Sequence, residues 1–361
     1  MGRLTGWIGS SAFILGLALA AAAPAAEVRG PTLSAAEADS ALAALPPYTP
    51  QRQVSGVIRT WGHVYVADVM ARWEAGFRRH HPNVRFEDNL VSSAAALGGL
   101  FSGVADIGFV AREPRPMELA GYRRVKKQAP LGIRVMTGAY LNADKVVALG
   151  ILVHRDNPLT GVTFAQLDGV FGGEARRAGR RIRTWGELGL GGPWADRPIH
   201  TYAGTPDAAP GFRFSQQVMQ GSQLWNQDLK LFDDIEAPGK PTRYATTQVA
   251  EAVAKDSDGI GLSGAGNGGD DVKVLPVSEG AAGPFVAPSV GAVAEGRYPL
   301  TRYVWLFVDG RPGAPANPDA AEFIRYILSR EGQQAVVDEG DYLPLPAAIA
   351  AEERAKLQPE R

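Results

Sequence analysis

The stretch VIRTWGHVYVADVMARWEAGFRRHHPNVRFEDNLVSSAAALGGLFSGVADIGFVA, residues 57–111, decides the fold. Val57 and Ile58 begin a strand that Thr60-Trp61-Gly62 is expected to break, and Val66, Val69, Met70, Trp73 and Phe77 then recur at helical spacing on one face. Val84 and Phe86 mark a second strand, Leu97, Leu100 and Phe101 a short helix, and ADIGFVA from Ala105 to Ala111 a third strand. This is β-α-β-α-β, the opening of a doubly wound α/β lobe. In such sheets ligands sit beyond the carboxyl ends of the strands, where helix N-termini offer unpaired N–H groups. The loops in question carry Thr60, Ser92 with Ser93, and Arg112, all groups that can hold an anion. Helix capping accounts for the hydroxyls equally well, and a solvated surface charge for the arginine.

Outward from this stretch the pattern restarts. The apolar run Val146–Val153 reads as a buried or crossing strand, and after Asn157-Pro158 a second set of helical and strand patterns runs to about residue 284. YVWLFV, from Tyr303 to Val308, is a strong strand; Asn317 caps a helix with Pro318 at its first position, and Ser329 opens another through Val337. About 310 residues exceed one ordinary core, so two lobes are expected. The reading is a two-lobed periplasmic-binding-protein fold, each lobe a doubly wound sheet, with two hinge crossings and the ligand cleft between them. Lobe I takes residues 54–155 and 285–347, lobe II 156–284, an Ala/Pro-rich leader, loose or ordered on contact, 26–53 and a tail 348–361 whose charged part beyond Ala351 is expected to fray.

The first 25 residues read as a cleavable export signal. Arg3 gives the positive end, Phe13–Ala23 the apolar part, and Ala23-Pro24-Ala25 small residues before a cut at Ala26. A periplasmic or secreted location follows. There is no cysteine, which excludes disulfides, thiolate metal sites and cysteine nucleophiles. With 37 Lys and Arg against 38 Asp and Glu, the chain lacks the basic excess that a nucleic-acid partner calls for. The five histidines show no metal-ligand spacing with carboxylates. Gly261-Leu262-Ser263-Gly264-Ala265 ends in Ala where a nucleophile elbow needs Gly, and Gly264–Gly269 leads into a strand, where a dinucleotide loop needs a helix. No cofactor and no enzyme chemistry are implied.

DNPLTGVTFAQLDGVFGG (156–173), IRTWGELG (182–189), DGIGLS (258–263), YPLTRYVWLFV (298–308) and FIRYILSREGQQAVVDEGDYLPLP (323–346) occur in this order. Together they resemble the phosphate-binding proteins of ABC importers, a likeness that covers residues 54–347. The resemblance implies an exported solute-binding protein, a monomer, that captures phosphate or a phosphate-like oxyanion for membrane importer subunits. It also carries ligand contacts onto Thr60 and Trp61, Ser92 and Ser93, Arg112, and Gly211 with Phe212. Two departures stand out. Ala111 replaces the family's acid or hydroxyl before Arg112, and Pro206 with Pro210-Gly211-Phe212 replaces the arginine and Ser-Gly-Thr helix start of lobe II. Phe212 is therefore expected to form an apolar wall toward an organic substituent. A secreted interaction or adhesion protein that keeps the scaffold without tight phosphate binding is the alternative; a phosphate-ester hydrolase ranks lowest, since no nucleophile, base and metal set can be assembled.

Overall fold

A computed structural model of the chain describes residues 32–141 and 145–358, so the expected signal in residues 1–25 lies outside the described residues. The leader contains a helix, α1 (Ala35–Ala43), capped by a Ser34/Glu37 capping box. Its Leu42, and Leu45 and Tyr48 beyond it, are buried against the first lobe, so apolar contact orders this part of the leader.

Lobe I opens with β1 (Gly56–Gly62), α2 (Ala67–Arg78), β2 (Val84–Leu90), α3 (Ser93–Ser102), β3 (Ile107–Val110), α4 (Pro116–Lys126) and β4 (Leu131–Thr137). Lobe II follows with β5 (Leu149–His154), β6 (Val162–Thr163), α5 (Phe164–Phe171), β7 (His200–Gly204), α6 (Ala209–Gln217), β8 (Lys230–Phe232), α7 (Ala245–Val253), β9 (Gly259–Gly264), β10 (Val272–Val274) and β11 (Val277–Ser278). After α8 (Val290–Ala294) the chain returns through β12 (Tyr303–Val308), the hairpin β13 (Gly310–Arg311) and β14 (Ala314–Pro315), α9 (Pro318–Ile327), α10 (Arg330–Glu339) and α11 (Ala347–Ala355).

Two five-stranded sheets result, ordered β2-β1-β3-β12-β4 and β10-β5-β9-β7-β8. Strands β1, β2 and β3 are parallel, and the returning β12 inserts antiparallel between β3 and β4. In lobe II, β7, β8 and β9 are parallel and β5 is antiparallel to β9. Leu149–His154 thus belongs to the second sheet, which corrects the boundary placed at residue 155: an apolar run does not say which sheet completes its hydrogen bonds.

The apolar face of α2 (Val69, Met70, Trp73, Phe77) is buried, and the Trp73 indole donates to the Gly332 carbonyl at 2.7 Å, fixing α10 across it. Residues 323–337 therefore pack on lobe I. The tail is ordered through residue 358. Ala350, Glu353 and Leu357 are buried, and Glu353 accepts from Arg134 of β4 at 2.5 Å, which corrects, as far as residue 358, the expectation that the chain frays beyond Ala351. The crossings are tied to each other where they pass: Gly138 N–H donates to Arg302 O at 2.8 Å and Leu149 N–H to Leu300 O at 3.1 Å.

Candidate functional site

A cleft of about 260 Å³ lies where the strand ends of the two lobes face each other. Lobe I lines it with His63, Tyr65, Ser92, Ser93, Ala111 and Arg112; lobe II brings Thr205, Ala208–Gly211, Asp234 and Thr246; the crossings add Lys145 and Arg302.

Ser92 is the N-cap of α3 and its hydroxyl accepts from Ala94 N–H at 3.2 Å. Ser93 Oγ accepts from Ala111 N–H at 3.0 Å, pinning the start of α3 to the end of β3 and leaving its O–H free to donate. Across the cleft α6 begins at Ala208 with no side-chain cap. The N–H groups of Ala209 and Gly211 therefore have the open first turn that every helix start presents. Gly211 is required here by close approach: a Cβ would sit 2.7 Å from the Pro206 carbonyl oxygen. At the start of α7, Thr246 carries a buried hydroxyl without a hydrogen-bond partner, while Asp234 accepts from Ala245 N–H at 2.7 Å.

The charged groups differ sharply in how far they are already engaged. Arg112 grips Glu118 through both terminal nitrogens, at 2.9 and 2.5 Å, and donates to the Glu113 carbonyl at 3.0 Å. Three of its five N–H donors are used, so two remain for a ligand. Lys145 stands 3.4 Å from Glu339 and 3.5 Å from Asp341. Among the described residues Arg302, with 2% of its side chain exposed, meets only Glu113, at 3.5 Å, and its Nε has no partner. Glu113 is shared: Arg213 of α6 also stands 3.5 Å from it. Burial holds the Arg213 guanidinium below its ordinary range, and Arg302 beside it acts in the same direction. His63 Nδ1 accepts from Tyr65 N–H at 3.2 Å, and burial, reinforced by Arg112, pushes the ring's pKa down. The neutral ring then carries its proton on Nε2, a second-row donor beside the serines.

The expected site residues separate into two groups. Ser92, Ser93, Arg112 and Gly211 line the cleft together. Thr60 and Trp61 do not: β1 runs on to Gly62, pairing with both β2 and β3, so Thr60 is fully buried and Trp61 packs on Gly99. Gly62 does not break the strand; it permits close packing, since a Cβ there would lie 2.6 Å from the Phe109 oxygen. The turn that reaches the cleft comes two residues later, with His63 and Tyr65. Phe212 does not line the cleft either. It is 9% exposed and its ring faces the Arg115 guanidinium of lobe I, 5.7 Å from centroid to carbon, while Arg115 also donates to the Asp207 carbonyl. Sequence reasoning missed Arg302, Arg213 and Glu113. The available signal was an Arg inside the otherwise apolar YPLTRYVWLFV, which a buried strand does not tolerate without a partner. Among the described residues no group of three or more His, Asp or Glu is placed to hold a metal ion, and no helix is long and apolar enough to cross a membrane.

The model of the PBP superfamily domain matches residues 47–331. The phosphate-binding protein PstS of Pseudomonas aeruginosa is 31% identical over 319 residues, 87% of this chain and 92% of that one. The protein SphX of Synechococcus elongatus is 26% identical over 281 residues, 75% of this chain and 72% of its own. Among solved structures, PstS from Borrelia burgdorferi matches with a TM-score of 0.55 at 15% identity, over 81% of this chain and 99% of that one. An ABC-type phosphate transport receptor from Vibrio cholerae matches with a TM-score of 0.52 at 18% identity, over 79% and 99%.

Proposed function

The chain belongs to the PBP superfamily, in the phosphate-binding protein family of its Pseudomonas relative, and on that premise we propose that it is an exported solute-binding protein that captures phosphate or a phosphate-like oxyanion for a membrane importer. The observation that carries this reading is the donor-rich cleft: the serine-bearing start of α3 and the uncapped start of α6 both line it, together with Arg112 and Arg302. In this reading Ser92, Ser93 and Arg112 hold the anion from lobe I and the Gly211 N–H from lobe II. Thr60, Trp61 and Phe212 act behind them as support. The first 25 residues serve as the cleaved signal, the mature protein works outside the cytoplasm as a monomer, and it transports its ligand unchanged.

Thermal-shift measurement of the mature chain against phosphate, sulfate, arsenate and a phosphonate tests this. A ligand at a hundred times its Kd adds about 2.7 kcal/mol to stability. Phosphate or arsenate is expected to raise Tm by several degrees, and a set of anions that leaves Tm unmoved at millimolar concentration would overturn the assignment.

A further inference from the structure

Two guanidinium groups and one carboxylate meet behind the cleft. Arg302 and Arg213 each stand 3.5 Å from a different oxygen of Glu113, the outer limit of a hydrogen bond; Arg213 is also acted on by Glu279, whereas among the described residues Glu113 is the one carboxylate in contact with Arg302. Arg302 is almost wholly buried, lines the cleft, and keeps an unpartnered Nε. A buried guanidinium whose fork is only loosely matched by a shared carboxylate is a poor resting arrangement. Planar oxyanions and tetrahedral ones both fit that fork through two N–H donors.

The position of Arg302 in the chain adds a second reason. Its own carbonyl accepts from Gly138 N–H, so its backbone sits where the two crossings are tied together. A residue on the hinge moves little when lobes open or close, so it presents the same charge to the cleft in either arrangement. Glu113 follows Arg112 of lobe I, whereas Arg213 rides on α6 of lobe II.

We infer that Arg302 is the guanidinium that holds the bound oxyanion, in place of an arginine from lobe II, and that Glu113 is the carboxylate the anion displaces from it. Glu113, released from Arg302, turns fully to Arg213 and so draws α6 toward lobe I as the site fills. The inference rests on the phosphate reading above, and it makes Glu113 a competitor of the ligand. A carboxylate that merely held a structural arginine would have the opposite effect when removed.

Calorimetric titration of inorganic phosphate into the mature chain and its variants separates these cases. Arg302→Gln is expected to weaken binding about tenfold to hundredfold, the loss of charged hydrogen bonds. Glu113→Gln is expected to tighten it by about threefold or more while Arg302 stays in place. Should Arg302→Gln fail to fold, the double variant Glu113→Gln/Arg302→Gln removes both charges together; it is expected to fold and to bind phosphate more weakly than the wild type, about tenfold to hundredfold below Glu113→Gln. Phosphate binding by Arg302→Gln or the double variant at wild-type strength would overturn the role of Arg302. Weaker binding by folded Glu113→Gln would overturn the displacement. A folded wild-type chain that binds no phosphate at all would instead refute the functional reading beneath.

Discussion

Removing the Arg115 side chain should weaken every ligand of the cleft by the same factor. Arg115 belongs to lobe I yet reaches lobe II twice, donating to the Asp207 carbonyl ahead of α6 and covering the Phe212 ring at 5.7 Å. Both contacts are partly exposed, so each is taken at the low end: about 0.5–1 kcal/mol for the cation–π contact and about 0.5–1 kcal/mol for the hydrogen bond. Together they favour the approached lobes by about 1–2 kcal/mol, and a ligand that binds only this arrangement loses at most that much. Arg115→Ala should therefore raise Kd by about fivefold to thirtyfold. Calorimetry with phosphate and with a phosphonate gives the two Kd values, and small-angle scattering of the unliganded protein should show a larger radius of gyration for the variant. Phe212→Ala should act in the same direction, since its ring stands between the lobes and not against the ligand. An unchanged Kd for Arg115→Ala, or a loss confined to the phosphonate, would refute the latch; the second result would restore Phe212 as a wall for organic substituents.

Three further outcomes follow from packing and protonation. A methyl group on Gly76 of α2 would lie 1.8 Å from the Tyr326 hydroxyl of α9, so Gly76→Ala should cost about 1–3 kcal/mol in denaturant unfolding, and Tyr326→Phe in the same chain should recover part of it. Glu74 is pushed up to about 8 by burial and by the Asp88 carboxylate beside it. The unfolded chain releases that proton near 4.5, so stability falls as pH rises from about 4.5 to 8; Glu74→Gln should raise Tm at pH 8 and leave it unchanged at pH 4. Burial also holds the His81 ring below its ordinary pKa, where its Nδ1 accepts from Val54 N–H and its Nε2 meets the Tyr48 hydroxyl. Its contribution is complete above about 6.5 and is lost as pH falls below that value toward the depressed folded pKa. A pH series of Tm should show this decline for the wild type and a shallower one for His81→Gln; equal slopes would contradict it.

Much of the fold was legible because its signals are local. The spacing of Val66, Val69, Met70, Trp73 and Phe77 sets one face of α2 by helical periodicity alone, and Asn317-Pro318 marks the start of α9 by capping chemistry. The alternation of such elements established two α/β lobes; topology then pointed to the loops at the strand ends, where Ser92, Ser93 and Arg112 line the cleft, and the family resemblance added Gly211. What the sequence could not decide is every feature set by a distant partner. Where β1 ends depends on pairing with β2 and β3, so Thr60 and Trp61 were counted into a turn that begins at His63. Leu149–His154 is apolar whichever sheet receives it, and only β9 and β10 assign it to lobe II. The tail is charged in sequence, yet Glu353 is buried because Arg134 of β4 awaits it. Glu113 and Arg302 are 189 positions apart, and no periodicity or motif spans that interval. Side-chain periodicity reports only which face of an element is apolar; which charges meet across a hinge is fixed by how the chain crosses between its lobes, and that exists only in the folded molecule.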